Sequence, residues 1–243
     1  MRTALITGAG GGIGRGLCEL FLKEGYTVIG VDCQKTSGLS CEVLHFDITE
    51  LRNSNPRTDH FFQQIKNLSG GRLDALVNNA AVQIVKPATE ITAEDWDITL
   101  NTNLLAPFWL VRMFLPLLRA AGGSVVNVSS IHASLSKKEF TAYATSKGAL
   151  VSLTRSLALE LAPEVRVNAV LPAATDTPML RDGFRSNPGG LEELGGYHPA
   201  GRIARSDEVA QAVLFLAGSG ASFITGAALH VDGGISSCLH DPV

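Results

Sequence analysis

The stretch that most constrains how this chain can fold is Thr7-Gly8-Ala9-Gly10-Gly11-Gly12-Ile13-Gly14. It directly follows the apolar, β-rich run Thr3 to Thr7 and opens a helical pattern that extends from about Gly12 to Glu24. Glycines at a strand end let the backbone turn sharply and approach a pyrophosphate, whose charge is met by free N–H groups and the positive end of the helix dipole. The same residues also suit a tight strand-to-helix turn with no ligand. Beyond them, short β-rich runs at residues 27–31, 42–46, 73–77, 124–128, 165–171 and 228–231 alternate with longer helical patterns. The helices are expected at about Pro56 to Leu68, Ala93 to Arg119 and Phe140 to Leu161, with a last one from a cap at Ser206-Asp207-Glu208 to about Ala217. This alternation predicts an α/β fold: a single-domain, doubly wound parallel sheet with helices on both faces and ligands at the carboxyl ends of its strands.

Composition agrees with one domain spanning residues 1–243. With 45% hydrophobic and 18% charged residues, the chain can bury a large core. A net charge of -3 leaves no basic footprint for nucleic acid, so small molecules or copies of the chain itself are the expected partners. Met1-Arg2-Thr3 runs straight into the first strand without a leader pattern, and no apolar run is expected to approach membrane-spanning length. A soluble cytoplasmic protein is therefore expected. Cys18, Cys33, Cys41 and Cys238 show neither CxxC spacing nor His at ligand intervals, so they read as buried or idle thiols and no metal site is indicated.

Three further features carry chemistry. The second strand ends at Asp32, about the right distance after the glycine run for a carboxylate that accepts hydrogen bonds from an adenosine ribose. It would repel a 2′-phosphate, and Cys33 follows it rather than an arginine, so NAD is expected over NADP; Arg15 and Lys35 are the nearby cations that could blunt this preference. Tyr143 and Lys147 lie four apart in a helical pattern, on one face, where a fixed cation would favour the phenolate and suit proton transfer. Pro107 lies four residues after Asn103 and has no N–H to give its carbonyl, which predicts either an irregularity or a simple kink in that helix.

Thr7-Gly-x-x-x-Gly12-Ile13-Gly14, Asn78-Asn79-Ala80, Asn103, Ser130, Tyr143-x-x-x-Lys147, Pro172-x-x-x-x-Thr177 and a closing Val231-Asp232-Gly233-Gly234 together resemble the classical short-chain dehydrogenase/reductase (SDR) family, nearly end to end. The resemblance implies a Rossmann fold and an oxidoreductase that passes hydride between NAD(H) and a secondary alcohol or ketone. It implies Tyr143 as general acid/base and Lys147 as the group that lowers its pKa and binds the nicotinamide ribose. Ser130 would bind the substrate oxygen, with Ser129 the alternative, and Asn103 would support a water-linked proton relay. Cofactor contacts implied in the same way are Gly8, Gly12, Ile13, Gly14, Asp47, Ile48, Asn78, Thr175 and Thr177. A homotetramer or homodimer is implied as well. A 3-oxoacyl-thioester reductase and a non-catalytic NAD-sensing protein remain the alternative readings.

The chain departs from the family pattern at Ala81 and Ala173, where glycine is usual; the added methyl groups are tolerable if φ stays negative. Too few residues separate Asp32 from Asp47 for an ordinary crossover helix, so a loop should cover that edge of the sheet. Residues 178–205, punctuated by Gly183, Gly189, Gly190, Gly195, Gly196, Gly201, Pro188 and Pro199, are expected to form a substrate lid. Gln83, His132 and Phe140 are candidate substrate contacts by position. The lid's few large apolar residues favour a small or polar hydroxy compound.

Overall fold

The computed structural model describes residues 2–185, 187 and 189–238. Seven parallel strands form one sheet: β1 (Arg2–Thr7), β2 (Tyr26–Asp32), β3 (Glu42–His45), β4 (Ala75–Asn78), β5 (Ser124–Val128), β6 (Arg166–Pro172) and β7 (Ala228–Val231). Their order across the sheet is β3-β2-β1-β4-β5-β6-β7. The chain winds one way from β1 to β2 and β3, then crosses back to β4 on the other side of β1. Ligands of such sheets collect at the carboxyl ends of the strands flanking that reversal. In the register here, Leu5 pairs with Leu76 and Ile6 with Val77, so the ends of β1 and β4 stand side by side.

Alternate strand residues feed two cores. Leu5, Leu76 and Val125 pack with Phe61 and Ile65 of α2 (Pro56–Leu68), with Leu110 and Phe114 of α4 (Ala106–Ala121), and with Leu157 of α5 (Thr141–Leu161). Ile6, Val77 and Val126 face the opposite side, against Leu17 and Phe21 of α1 (Gly12–Lys23) and Val213 and Leu216 of α8 (Ser206–Ala217). The central strands β1, β4, β5 and β6 are buried on both faces, which is why they read as mostly apolar runs in the sequence, whereas the edge strands β3 and β7 are largely exposed. Between β2 and β3, residues 33–41 form no helix, as the short spacing requires. The helix α8 starts differently from expectation. Arg205 is its cap residue and donates its N–H to Glu208 Oε2 at 2.8 Å, while the Ser206 hydroxyl donates to the Asp176 carbonyl instead.

The helical region after β4 is not one uniform rod. α3 (Ala93–Leu100) passes into a single π turn, Asn101–Leu105, and then into α4. The Ala106 N–H donates to the Asn101 carbonyl five residues back, which is the wide turn expected where Pro107 cannot donate. The combined stretch Ala93–Ala121 has a mean hydropathy of 1.5 over its most apolar window and is long enough to cross a membrane by length and composition. That corrects the expectation that no apolar run reaches such length; Leu110, Phe114, Leu117 and Leu118 of this helix are spent on the core. After β6 come two short helices, α6 (Pro178–Gly183) and α7 (Gly190–Gly196), inside the expected lid; Pro188 lies outside the described residues.

Candidate active site

A cavity of about 1350 Å³ opens along the carboxyl ends of β1, β2, β4, β5 and β6. Single-ligand pockets run to roughly 1,000 Å³, so this one has room for a dinucleotide and a small substrate together. Gly8, Gly10, Gly11, Gly12, Ile13 and Gly14 form its floor at one end. Gly8 adopts a φ of 65°, and a Cβ at Gly14 would stand 1.9 Å from the Gly8 carbonyl oxygen. No side chain fits at Gly14, so the helix can begin this close to the loop only with glycine there. The Ala9 N–H ties the loop to β2 through the Val31 carbonyl at 3.2 Å. Just past β4, Asn79 Nδ2 donates to the Thr7 and Gly8 carbonyls at 2.9 and 3.1 Å.

Asp32 stands at the same end. Its Oδ2 accepts the Gly10 N–H and its Oδ1 the Gln34 N–H, each at 2.9 Å, which fixes both oxygens at the cavity wall. Arg15 does not pair with it; its guanidinium donates to the Gly10 and Ser37 carbonyls. Lys35 also lines the cavity. Asp47 caps the short 3-10 helix Ile48–Arg52 by accepting from the Thr49 N–H, and both Asp47 and Ile48 reach the wall. Thr175 and Thr177 lie on the opposite side, where the Thr177 hydroxyl caps α6 and its methyl would meet a Cβ on Gly12 at 2.8 Å. Ala81 and Ala173 line the cavity without strain, since Glu139 is the single non-glycine with positive φ among the described residues. The structure does not bring Asn78 to the wall. Its side chain donates to Asn127 Oδ1 at 2.7 Å beneath the sheet, and the neighbouring Asn79 takes the position at the cavity.

At the far end, Ser130 follows β5, and Tyr143 and Lys147 come from the first turns of α5. All three line the cavity. The Ser130 hydroxyl accepts the His132 N–H at 3.2 Å, and its proximity to Tyr143 pulls the pKa of the phenol down. Ser129 is turned away, with its hydroxyl donating to the Lys147 carbonyl at 2.9 Å. Lys147 Nζ donates to the Val128 carbonyl at 2.9 Å and lies 5.7 Å from the Tyr143 ring centre. Burial dominates both groups, raising Tyr143 to about 12 against the smaller pull of Ser130 and lowering Lys147 to about 8. The lowering of Tyr143 expected from its lysine neighbour is therefore not what this structure shows. The lysine charge is directed at a backbone oxygen, and its own desolvation weakens it.

Asn103 is buried behind this group rather than at the cavity wall. Its Oδ1 accepts the Val82 N–H, and its Nδ2 donates to the Val82 carbonyl and to Ser146 Oγ, at 2.9, 2.9 and 3.0 Å. Ser146 in turn donates to the Tyr143 carbonyl at 2.7 Å. The π turn thus braces both the segment after β4 and the helix that carries Tyr143.

Gln83, His132 and Phe140 all reach the cavity. Phe140 stands edge-on to Tyr143 at 5.9 Å, and the His132 ring lies 4.7 Å from Phe140 and 6.0 Å from Tyr143. Burial, helped by the nearby Lys137 charge, keeps His132 towards its neutral form, while a backbone hydrogen bond to Leu135 opposes it. The segment after β6 supplies Met179, Leu180, Phe184, Leu194 and His198 to the same wall. Met179, Leu180, Phe184 and Leu194 thus face the cavity, while Leu191, Tyr197 and Ile203 of the same segment do not line it. Asn79 and His198 were not singled out from the sequence. Asn79 was signalled by its place just past a strand end, whereas His198 reaches the wall only through the tertiary path of its segment.

A parallel sheet with a glycine cradle at its winding reversal and a Ser, Tyr and Lys group on the same crevice defines a dinucleotide-dependent oxidoreductase of the Rossmann class. Residues 8–236 match a family model described as enoyl-(acyl carrier protein) reductase. The chain belongs to the short-chain dehydrogenase/reductase family, whose members bind a nicotinamide cofactor. It is 34% identical to a 3-oxoacyl-[acyl-carrier-protein] reductase of Thermotoga maritima, over 96% of this chain and 97% of that one. It is also 34% identical to a cyclopentanol dehydrogenase of a Comamonas species, over 97% of each chain. Among solved structures, the ligand-free aldohexose dehydrogenase of Thermoplasma acidophilum superposes with a TM-score of 0.93 at 34% identity, covering 100% of this chain and 96% of that one.

Proposed function

We propose that the protein is an NAD(H)-dependent dehydrogenase or reductase of a secondary alcohol and its ketone. The observation that carries this reading is a single cavity with the Asp32 carboxylate fixed at one end and Ser130, Tyr143 and Lys147 meeting at the other. The residues present fit a dinucleotide. Glycine at Gly14, where a Cβ would collide with the Gly8 carbonyl, lets α1 begin against the loop so that its first N–H groups can meet a pyrophosphate, and both Asp32 oxygens keep lone pairs for ribose hydroxyls. When bound, the nicotinamide would accept or return the hydride.

The chain's own residues handle the proton and the orientation. In ketone reduction the Tyr143 phenol donates its proton to the substrate oxygen, while the Ser130 hydroxyl donates a hydrogen bond to the same atom as charge develops on it. In alcohol oxidation the flow reverses, and the Tyr143 oxygen takes the proton. Lys147, 5.7 Å from the Tyr143 ring centre, would hold the nicotinamide ribose and place its charge beside the phenolate that forms. Asn103 acts from behind by holding the segment after β4 and, through Ser146, the first turn of α5. Residues 178–205 serve as a lid, since α6 and the turn after α7 form the outer wall.

Free cysteines among the described residues fit a reducing compartment such as the cytoplasm. The relationship to a 3-oxoacyl-thioester reductase supports that activity as the second reading. A panel of secondary alcohols, ketones and an acetoacetyl thioester, assayed with NAD(H) and NADP(H) by absorbance of the reduced cofactor, tests both. Turnover of small alcohols with NAD is expected. A strong NADP preference would overturn the Asp32 argument, and preferential reduction of the thioester would favour the second reading.

A further inference from the structure

At the substrate end of the cavity, one positive charge has no counter-charge among the described residues. Lys137 lies between the 3-10 helix Ile131–Ala133 and α5, and it lines the cavity together with His132, Phe140 and Tyr143. Its Nζ stands 4.2 Å from the centre of the Phe140 ring, and that ring stands edge-on to Tyr143 at 5.9 Å. Phe140 is 5% exposed, so the ammonium of a residue otherwise open to solvent is drawn in against a buried ring. His132, 4.7 Å from the same ring, feels that charge, which helps to hold it towards its neutral form.

The backbone commits strain to this placement. Glu139, between Lys137 and Phe140, takes a φ of 69°, the single positive φ of a non-glycine among the described residues. A residue with a long side chain enters that region at a cost, and such outliers cluster at functional sites. The Glu139 carbonyl accepts the Lys86 N–H at 3.1 Å, which ties the turn to the segment after β4. Among the described residues Lys137 makes no ion pair, and its ammonium donates no hydrogen bond. The wall's described carboxylates, Asp32, Asp47 and Asp97, leave it unpaired, whereas Lys86 has Asp95 and Lys147 has the Val128 carbonyl. Burial lowers the Lys137 pKa, with no carboxylate to offset it. A partly desolvated cation beside the reacting group, without a counter-charge, is completed by an anion on the ligand.

We propose that Lys137 pairs with a carboxylate of the substrate, which is then a secondary hydroxy acid and its keto acid, with the carbinol at Tyr143 and the carboxylate across the Phe140 ring. This rests on the oxidoreductase reading and names its substrate class. In the oxidative direction the carbinol carbon gives its hydride to NAD and the hydroxyl its proton to Tyr143, leaving the keto acid. A lone ammonium beside an imidazole held towards neutrality offers a single positive charge, which matches a carboxylate better than a doubly charged phosphate.

The test uses the secondary alcohols 2-hydroxypropanoate, 3-hydroxybutanoate, 4-hydroxypentanoate and 5-hydroxyhexanoate with NAD, each beside its primary amide, which keeps length and shape and removes the charge. The series lets the span from Tyr143 to Lys137 select the acid. The best acid is expected to exceed its amide in kcat/KM by about fivefold or more, chiefly through KM, and the ratio should shrink as salt is raised. In Lys137→Met that ratio should collapse towards one, and in Lys137→Arg, which keeps the charge, most of it should return. Acid and amide are compared within each variant, so a general loss of activity leaves the ratio readable. A second arm reads binding without turnover. In calorimetric titrations of the NADH complex, the acid should bind about fivefold more tightly than its amide, and the difference should vanish in Lys137→Met. Equal kcat/KM for acid and amide at every length, or a ratio unmoved by Lys137→Met, overturns the proposal. If neither these compounds nor any neutral alcohol is turned over, the oxidoreductase reading fails, and titrations with the acids still decide whether Lys137 holds a carboxylate.

Discussion

Lys147 is held where its charge is costly. It is 2% exposed, its Nζ has the Val128 carbonyl as partner, and burial lowers its pKa to about 8 from 10.5. Between those values the unfolded chain keeps a proton that the folded chain releases, so the lysine's contribution to stability is fully present above pH 10.5 and is lost as pH falls through 8. Tyr143 runs the other way. Folded, it holds its proton up to about 12, so its contribution is present below pH 10 and is lost above that. Replacing Lys147 by Met removes the first effect only. The stability of Lys147→Met relative to the parent should therefore be greater at pH 7.5 than at pH 10, by about 2–3 kcal/mol. At about 2–4 °C per kcal/mol for a chain of this size, the gap in unfolding temperature should change by several degrees. Melting curves of both proteins at the two pH values check it, and a constant gap would show that the lysine is not desolvated as described. The four-residue spacing was legible from the sequence, but the direction of the Tyr143 shift was not. Spacing says which groups are neighbours, whereas desolvation depends on what the rest of the fold places around them.

At the scale of elements, the turn from α3 to α4 shows how a backbone defect positions a side chain. Pro107 was readable as a break because its missing N–H is a covalent fact. The partners of Asn103 were not, since Val82 and Ser146 come from distant parts of the chain. Likewise, the helix-free link between β2 and β3 followed from chain length, while the turn of Asn78 towards Asn127 followed from strand pairing that spacing alone does not reveal. In Pro107→Ala the restored N–H lets the Asn103 carbonyl accept a regular helical bond. The wide turn should then tighten and shift Asn103 against Ser146 and the first turn of α5. The pH profile of turnover should move, and NAD affinity should stay within about twofold because the glycine loop and Asp32 lie on other elements. Steady-state rates from pH 6 to 10 beside a fluorescence titration of NADH would decide it; an unmoved profile would remove the proline from the proton-transfer machinery.

For the whole molecule, the centre of the sheet was the most legible part, because strands buried on both faces must be largely apolar. The segment after β6 was the least legible. Its glycines and prolines marked a boundary, but its contribution to the cavity wall, Met179, Leu180, Phe184, Leu194 and His198, depends on its tertiary path. Apolar surface left outside both cores belongs to the same scale. Phe223 is fully exposed, Leu159 is 83% exposed, and Phe215 and Leu229 are exposed nearby in the chain's last third. Large apolar side chains left in water favour association, and this supports the proposed homodimer or homotetramer. Phe223→Glu and Leu159→Glu each place a charge on one such surface and touch neither core nor cavity. If those surfaces bury against copies of the chain, each variant should sediment as a smaller species than the parent, with the loss greatest when both are combined. Sedimentation velocity at matched concentrations reads the result directly: a parent that sediments as a monomer, or a double variant of unchanged size, would refute assembly through these residues.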